Sequence, residues 1–360
     1  MKALCNQPLR LKENRVWRIY TGGSMLGRWR GRQEGDDHWP EDWIGSVITS
    51  NNATRPGAED EGLSRIEGMD RTLKELVEQY PQEMLGERHA QRFGTQTALL
   101  VKALDAANRL AIQAHPARED AWRYFGCPFG KTEAWYVLGT RDQAEPACVR
   151  LGFREDMTRE KWRELFEKQD VQGMQNALHR VEVQPGDVFL LEGGVPHAIG
   201  EGCFLMEIQE PTDYTFRVER VSPLGLPLRD EDCHQGAGFD AMFDMFRYEF
   251  LTRAETLARW KKQPRRMARS EGGAMDVLLD ETDTPCFALW RMQVHGRFVP
   301  PEDNRFQIAV VVEGGGELEA DGETLTLHQG DSLFLPAALG KTVWCSQEMT
   351  VLLCLPPRVE

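Results

Sequence analysis

Two stretches of the chain share one pattern, and their repetition is the feature that most restricts the fold. The first, VEVQPGDVFLLEGGVPH, is followed 144 residues later by LTLHQGDSLFLPAALGK, so that Gly186-Asp187 aligns with Gly330-Asp331. The apolar positions on either side of the turn coincide in the two copies. Each copy predicts a short strand, a turn and a second apolar strand. A repeated unit of this kind indicates two similar β domains in one chain.

Helical periodicity is confined to segments between and beside these β units. It predicts inserted helices over about residues 68–94 and 158–178, with Thr158 as the N-cap of the second, and a helical connector from Ala237 to Lys262. A chain of 360 residues has room for two such domains. We therefore predict a mainly β fold with inserted helices. One domain covers residues 1–235, and residues 236–360 hold the connector and a second domain.

The stretch that carries the most chemistry covers residues 110–139, LAIQAHPAREDAWRYFGCPFGKTEAWYVLG. Gln113 and His115 lie on a strand-like segment, where residues i and i+2 face the same side. Lys131 and Glu133 stand in the same relation just ahead of the strand-like run AWYVL. His197 follows the Gly-Gly bend of the first repeat copy. We predict that Gln113, His115, Glu133 and His197 form a four-ligand metal site.

Four separated motifs, IQ-x-HP, GKTE, G-x-x-HA and TDYTFR, follow one another along the chain. Together they closely resemble the motifs of the type I mannose-6-phosphate isomerases, zinc-dependent enzymes of the cupin superfamily. The Gly186-Asp187 turn ahead of His197 resembles the second motif of cupin barrels. The resemblance implies two cupin-type, jelly-roll β-barrels and one zinc ion per chain, held in the N-terminal barrel. It also implies interconversion of mannose 6-phosphate and fructose 6-phosphate.

The residue types suit that chemistry. Imidazole, carboxylate and amide ligands favour zinc, and a single anionic ligand leaves the site positively charged. Positive charge stabilises the enediolate through which a proton moves between C1 and C2 of an aldose. Lys131 suits acid–base work or phosphate binding. Asp213 and Arg217 match the family's Asp and Arg, and suit a proton-handling carboxylate and a guanidinium for the enediolate or the phosphate.

Lys131, Asp213 and Arg217 are therefore the predicted catalytic residues, although a buried ion pair between Asp213 and Arg217 is a structural alternative.

The second repeat copy lacks the ligands. Its upstream strand, IAVVVEGGGEL, contains no Gln-x-His or His-x-His, and His197 aligns with Lys341. We predict a C-terminal domain without metal.

Three departures from the family pattern leave other functions open. Ala111 stands where the family commonly has Ser, VER follows Arg217, and Tyr20 and Thr21 interrupt the family's Trp-Gly-Gly segment. These changes fall where the sugar or its phosphate would be held. The alternatives are an isomerase-like cupin that acts on another sugar or is not catalytic, and a redox cupin using iron or manganese, which normally has more His ligands.

Composition restricts partners and location. The net charge of −14, without a Lys/Arg-rich block, argues against nucleic acid, and no apolar run approaches the roughly 20 residues that span a bilayer. Eight isolated cysteines and an N-terminal segment without an apolar core predict a reduced, cytoplasmic protein. The expected partner is a small sugar phosphate. The oligomeric state is not predicted.

Overall fold

A computed structural model describes residues 2–52 and 55–359. Within these residues, antiparallel strands dominate and form three sheets. The strands are β1 (Leu9–Arg10), β2 (Arg15–Val16), β3 (Glu41–Ile44), β4 (Leu100–Asp105), β5 (Gln113–Ala114), β6 (Glu133–Thr140), β7 (Cys148–Phe153), β8 (Leu178–Glu182), β9 (Val188–Leu191), β10 (His197–Ile199), β11 (Cys203–Gln209), β12 (Phe216–Arg217), β13 (Lys261–Lys262), β14 (Arg265–Ser270), β15 (Gly273–Leu279), β16 (Ala288–Val294), β17 (Arg297–Phe298), β18 (Gln307–Ala320), β19 (Glu323–His328), β20 (Ser332–Leu335) and β21 (Thr342–Leu355).

Short helices lie between the strands, mostly in the first two thirds of the chain. They are α1 (Ser24–Trp29), α2 (Leu73–Gln79), α3 (Pro81–Leu85), α4 (Glu87–Phe93), α5 (Arg118–Phe125), α6 (Arg159–Lys168), α7 (Val171–Asn176), α8 (Asp230–His234), α9 (Phe239–Asp244) and α10 (Arg253–Trp260), and a 3-10 helix covers Lys2–Asn6. None of the described helices has the length and apolar character that crossing a membrane requires.

Two of the sheets enclose the predicted site. Sheet I has the strand order β12-β5-β10-β7-β8, and sheet II has the order β13-β9-β6-β11-β4-β3-β2. They pack face to face through a shared apolar core, to which sheet I contributes Leu151 and Ile199 and sheet II contributes Leu104 and Trp135. Because side chains alternate along a strand, the residues directly before and after each of these four point to the opposite face of their sheet, away from this core.

The other face of sheet II packs against the C-terminal sheet. Sheet III follows the order β1-β20-β18-β21-β16-β15-β14, with β17 and β19 added at β21 and β18. Ala134 and Met206 of sheet II meet Ile308 and Leu352 of sheet III in one core. The far face of sheet III encloses a further, wholly apolar core. Sheet II is thus the shared layer between the site and the C-terminal half.

The repeated Gly-Asp turn has the same hydrogen bonds in both halves. The N–H of Gly186 donates to the carbonyl of Val137, and that of Gly330 donates to the carbonyl of Val311, each at 2.8 Å. Both glycines have positive φ, 90° and 88°, which favours glycine at the turn. The strands that follow, β9 and β20, are both four residues long. The sequence repeat therefore corresponds to one structural unit used twice.

Several sequence predictions gain detail here. The segment over residues 68–94 contains three short helices, with a Thr72–Glu75 capping box at the first. Thr158 caps α6, as predicted, but the expected helix over 158–178 divides because Gln169 adopts a left-handed conformation and Asp170 caps α7. The predicted connector contains α9 and α10.

Among the described strands no sheet closes on itself, so two closed barrels are not confirmed. What the structure shows is a mainly β chain of several antiparallel sheets with short helices. The domain limits at 235 and 236 stay a prediction.

Candidate active site

Sheet I places three of the predicted residues in one row. Gln113 of β5 lies opposite His197 of β10 on one side and Arg217 of β12 on the other. Residues paired across antiparallel strands face the same side of the sheet, so all three point between the sheets. The pairing register of β5, β10 and β12 therefore places these three polar side chains on one face of sheet I. A shift of one residue in any of these strands would turn its side chain to the opposite face.

Sheet II supplies the carboxylate. Glu133 begins β6 and is almost fully buried. Its Oε2 lies 3.0 Å from Nε2 of His115, and its Oε1 lies 3.2 Å from Nε2 of His197. Ligand atoms of these three residues all fall within 4.8 Å of one another. Gln113 joins them, because its Nε2 lies 3.3 Å from Nε2 of His197.

The backbone fixes which nitrogen of each imidazole faces this cluster. Nδ1 of His115 lies 2.8 Å from the carbonyl oxygen of Tyr214, and Nδ1 of His197 lies 2.9 Å from that of Val195. Since a carbonyl only accepts, each Nδ1 carries the proton and each Nε2 presents a lone pair. This is the usual way in which a protein orients metal-binding imidazoles.

Those lone pairs meet the oxygens of Glu133, which are also acceptors. Nε2 of His115 and both carboxylate oxygens of Glu133 are buried without a hydrogen-bond donor among the described residues. Buried acceptors that face each other at about 3 Å are costly unless a cation lies between them. In tetrahedral zinc sites, bonds of about 2.0–2.1 Å place neighbouring ligand atoms roughly 3.3 Å apart. The donor set and its spacing fit a metal ion.

The charge states fit a metal as well. Burial, together with the positive charge of Lys131, lowers the pKa of His115 to about 3, so His115 is neutral at neutral pH. Burial alone would raise the pKa of Glu133, but positive charge around it, that of Lys131 included, holds it well below its usual range. Neutral imidazole and ionised carboxylate are the forms that bind metal.

Lys131 lies beside the cluster, in the loop just ahead of β6. Two residues ahead of β6, it is fixed in the preceding loop by a bond from its N–H to the carbonyl of Pro116 at 3.0 Å. Its Nζ lies 3.5 Å from Oε2 of Glu133, and only 4% of the residue is exposed. Burial lowers the pKa of Lys131, while Glu133 opposes the change.

Two cavities with shared lining residues lie beside the cluster. The inner one, of about 40 Å³, is bordered by Gln113, Lys131, Asp213 and Arg217 together with Ala111. The outer one, of about 830 Å³, opens on the surface and shares Asp213 and Arg217 with it. An outer cavity of this size is in the range of small-molecule sites. Asp213 and Arg217 therefore stand at the passage between surface and cluster.

Asp213 and Arg217 do not form the ion pair with each other that was the structural alternative to a catalytic role. Asp213 forms its ion pair with Arg18, whose Nη2 lies 3.3 Å from Oδ1 of Asp213. Nη1 of Arg217 donates to the carbonyl of Asp232 at 2.9 Å, and the described residues place no carboxylate in an ion pair with it. Burial lowers the pKa of Arg217, against the attraction of Asp213. Arg217 thus keeps a half-buried guanidinium available for an anion.

Sequence reasoning missed a second set of charged residues around the inner cavity. Nζ of Lys102 lies 3.1 Å from Oε1 of Glu207 and 3.9 Å from Oε2 of Glu41, and Arg18 also pairs with Glu41. Burial raises the pKa of Glu207, although Lys102 opposes it. A signal was present, since Lys102 and Glu207 are charged residues in the middle of the largely apolar strands LVKALD and CFLMEIQ.

Two departures from the family pattern also take structural form. Ala111 lines the inner cavity and offers it no hydroxyl group. Glu219, in the VER segment, is buried and forms two bonds of 2.7 and 2.8 Å with the guanidinium of Arg109. This ion pair fixes the segment that follows Arg217.

Comparison with known proteins supports the same family. The model of the phosphomannose isomerase type I catalytic domain matches residues 56–133, and that of the mannose-6-phosphate isomerase cupin domain matches residues 281–345. A mannose-6-phosphate isomerase of Bacillus subtilis is 28% identical over 75% of this chain and 77% of its own. A probable mannose-6-phosphate isomerase of the same organism is 26% identical over 68% and 70%.

The fold agrees with a solved structure. The crystal structure of the mannose 6-phosphate isomerase from Bacillus subtilis superposes with a TM-score of 0.74 at 22% identity, over 96% of this chain and 99% of the other. The predicted resemblance is confirmed: this chain is related to the type I mannose-6-phosphate isomerases, whose catalytic and cupin domains it matches in two separate segments.

Proposed function

We propose that this protein is a zinc-dependent isomerase that interconverts mannose 6-phosphate and fructose 6-phosphate. The observation that carries the proposal is the cluster of His115, Glu133 and His197, in which Nε2 of His115 and both carboxylate oxygens of Glu133 converge without a hydrogen-bond partner among the described residues. The names of the relatives support the substrate.

Gln113, His115, Glu133 and His197 would hold one zinc ion per chain. When bound, zinc supplies positive charge that favours the enediolate over the neutral sugar. The amide of Gln113 can turn its oxygen towards the cluster, since its two ends have the same shape. With one carboxylate among four ligands, the site keeps a net positive charge, as an isomerase needs.

The surrounding residues divide the proton work. Lys131 is buried beside Glu133, and its lowered pKa suits it to give and take a proton. Asp213 is held as a carboxylate and suits a proton acceptor at the passage between the cavities. Arg217 has no carboxylate in an ion pair with it among the described residues and would stabilise the enediolate oxygen or the phosphate.

The substrate would enter through the outer cavity, because the inner cavity is too small for a whole sugar phosphate. Its reacting carbons would face the inner cavity while the phosphate stays nearer the surface. Lys131 and the four ligand residues are buried, which limits the access of bulk water to the proton transfer and protects an enediolate from side reactions.

We also propose that each half of the chain is a jelly-roll domain, with the limits predicted from sequence, residues 1–235 and 236–360. Support comes from the Gly-Asp unit that both halves share.

A cytoplasmic location is proposed as well. All eight cysteines lie in the described residues and no two are joined in a disulfide, which fits a reducing compartment.

The test is a coupled assay for fructose 6-phosphate formation from mannose 6-phosphate with purified protein. Activity should vanish with a chelator and return with zinc, at one zinc per chain by elemental analysis. Full activity after complete metal removal would contradict the metal-dependent mechanism. A zinc-loaded protein that turns over another aldose but not mannose 6-phosphate would contradict the substrate, and iron or manganese in place of zinc would favour a redox cupin.

A further inference from the structure

We infer that Arg18 is a positioning residue for the isomerase reaction: it fixes the carboxylate of Asp213 at the passage between the cavities and keeps it ionised for proton transfer. This inference rests on the proposed function, in which Asp213 accepts a proton. Arg18 was not among the residues predicted from sequence.

Arg18 joins two carboxylates from separate parts of the fold. Its Nη2 lies 3.3 Å from Oδ1 of Asp213, in the connection between β11 and β12. Its Nε lies 2.9 Å from Oε1 of Glu41, on β3 of sheet II. The side chain of Arg18 is only 11% exposed, and so is that of Asp213. A bridge of this kind fixes the loop that carries Asp213 to the rigid sheet.

Arg18 is itself held in place from several sides. Its N–H donates to the carbonyl of His38 at 2.9 Å, and Nδ1 of His38 lies 2.8 Å from the carbonyl oxygen of Arg18. Its guanidinium lies 5.3 Å from the ring centre of Trp43, a cation–π distance. A fixed guanidinium loses little further entropy when it binds, so it can hold Asp213 in one orientation.

Asp213 depends on this support because its own segment has little regular structure. Residues 210–215 connect two strands without a helix or strand of their own. Oδ2 of Asp213 accepts a bond from the N–H of Asn51 at 3.0 Å, so each carboxylate oxygen is held by a different part of the N-terminal segment. Without Arg18, one oxygen would lose its partner and the carboxylate could turn towards the outer cavity.

Other charges around Asp213 do not replace Arg18. Burial raises the pKa of Asp213, but Arg18 is the largest opposing charge and the pKa is lowered overall. Lys102 and Lys131 also face it, yet each has a closer carboxylate, Glu207 or Glu133. The charged groups that face Asp213 are Arg18, Glu41, Lys102, Lys131 and Arg217.

The test compares Arg18→Gln, Arg18→Lys, Asp213→Asn and the double variant Arg18→Gln/Asp213→Asn, all loaded with zinc. We expect Arg18→Gln to lower kcat about 10- to 100-fold, with a much smaller change in KM. The acid limb of the pH profile of kcat/KM should move upward by about 1 to 3 units, since a neutralised neighbour makes the carboxylate easier to protonate. Arg18→Lys should fall between wild type and Arg18→Gln.

The double variant separates positioning from general structural damage. If Arg18 acts through Asp213, Arg18→Gln should cost less than about threefold in the Asp213→Asn background, because the group that it positions is gone. Arg141→Gln is the matched control. It removes a guanidinium from the buried carboxylate Asp105, away from both cavities, and should lower stability without moving the acid limb.

An equal loss from Arg18→Gln in both backgrounds, or an acid limb that does not move, would overturn the inference. If Arg18→Gln does not fold, Arg18→Lys carries the same test. Failure of the proposed function looks different, because then the wild-type protein itself would not isomerise mannose 6-phosphate or would not need zinc.

Discussion

In sheet II, Lys102 of β4 lies opposite Glu207 of β11, whereas at the matching position of sheet III Trp290 of β16 lies opposite Leu353 of β21. The Gly-Asp turn establishes the match, since Val137 and Val311 receive the same hydrogen bonds from it. Counting along the paired strands from this turn gives further matched positions, which are Glu133 with Gln307 and Lys131 with Arg305. The alignment of the two repeat copies also matches His197 with Lys341.

The difference shows what a catalytic interior costs. Sheet III uses the repeated unit to enclose Trp290, Leu353 and other apolar side chains, which stabilise the fold by burial. Sheet II uses the same unit to hold Lys102, Glu207 and Glu133, whose desolvation is unfavourable and is offset only in part by pairing. One half therefore contributes chiefly stability, and in the other half the buried charges of the proposed site reduce stability.

The most direct way to break this comparison is to change the matched pair His197 and Lys341. We expect His197→Ala to lose tightly bound zinc and to lower turnover by roughly 10³-fold or more, because the enediolate loses its stabilising charge. Zinc content after dialysis and the coupled isomerase assay measure both effects. Lys341→Ala is the control, since its side chain is 76% exposed and its ion pair with Glu302 lies at the surface.

Full zinc retention in His197→Ala would remove His197 from the site. A loss of zinc in Lys341→Ala would show that the two halves do not divide their roles in this way.

The second prediction concerns Lys131 and its counterpart Arg305. We expect Lys131→Met to keep zinc but to lower kcat by about 10²- to 10⁴-fold, because it removes a proton-transferring group without touching a ligand. Elemental analysis and kcat at saturating substrate provide the measurement. Arg305→Met removes ion pairs with Asp303 and Glu281, so it should reduce stability and leave kcat unchanged. Unchanged turnover in Lys131→Met would rule out an essential role.

The third prediction tests the stabilising half. Leu353 is 1% exposed in the core of sheet III, so Leu353→Ala should lower the free energy of unfolding by about 2–5 kcal/mol. We expect zinc content and kcat of the folded variant to match wild type. Urea unfolding monitored by tryptophan fluorescence measures the loss. A loss of zinc affinity in folded Leu353→Ala would mean that sheet III also shapes the site.

Local pattern explains why much of this could be predicted from sequence. The spacing of Gln113 and His115, the His that follows a Gly-Gly bend and the Gly-Asp repeat each depend on a few neighbouring residues. Such features are set by strand alternation and turn chemistry. The structure accordingly brings the four predicted ligands together, even though β5 is only two residues long and Lys131 precedes its strand.

What could not be predicted depends on pairing between distant segments. Lys102 and Glu207 are 105 residues apart and meet only because β4 pairs with β11 in one register. Arg18 reaches Asp213 across 195 residues, and β1 joins sheet III although it belongs to the N-terminal end of the chain. No local pattern specifies these contacts, since loop closure over such distances is decided by the whole packed fold.

The smallest expected effect is a pH dependence that the site confers on the metal-free protein. The pKa of His115 falls from 6.5 to about 3 on folding, so below pH 6.5 the unfolded chain binds a proton that the folded chain does not. Stability is therefore lost as the pH falls from 6.5 towards 3, by about 2 kcal/mol at pH 5. Urea unfolding of metal-free wild type at pH 7.5 and pH 5 should show this loss.

In metal-free His115→Gln the difference between the two pH values should shrink by that amount, because glutamine does not titrate. His295→Gln is the control, since His295 is exposed on the C-terminal side and its loss should leave the difference unchanged. An equal pH dependence in His115→Gln and wild type would show that His115 does not confer it. A smaller pH dependence of the free energy of unfolding in His115→Gln would show that His115 accounts for part of the acid sensitivity of the metal-free protein.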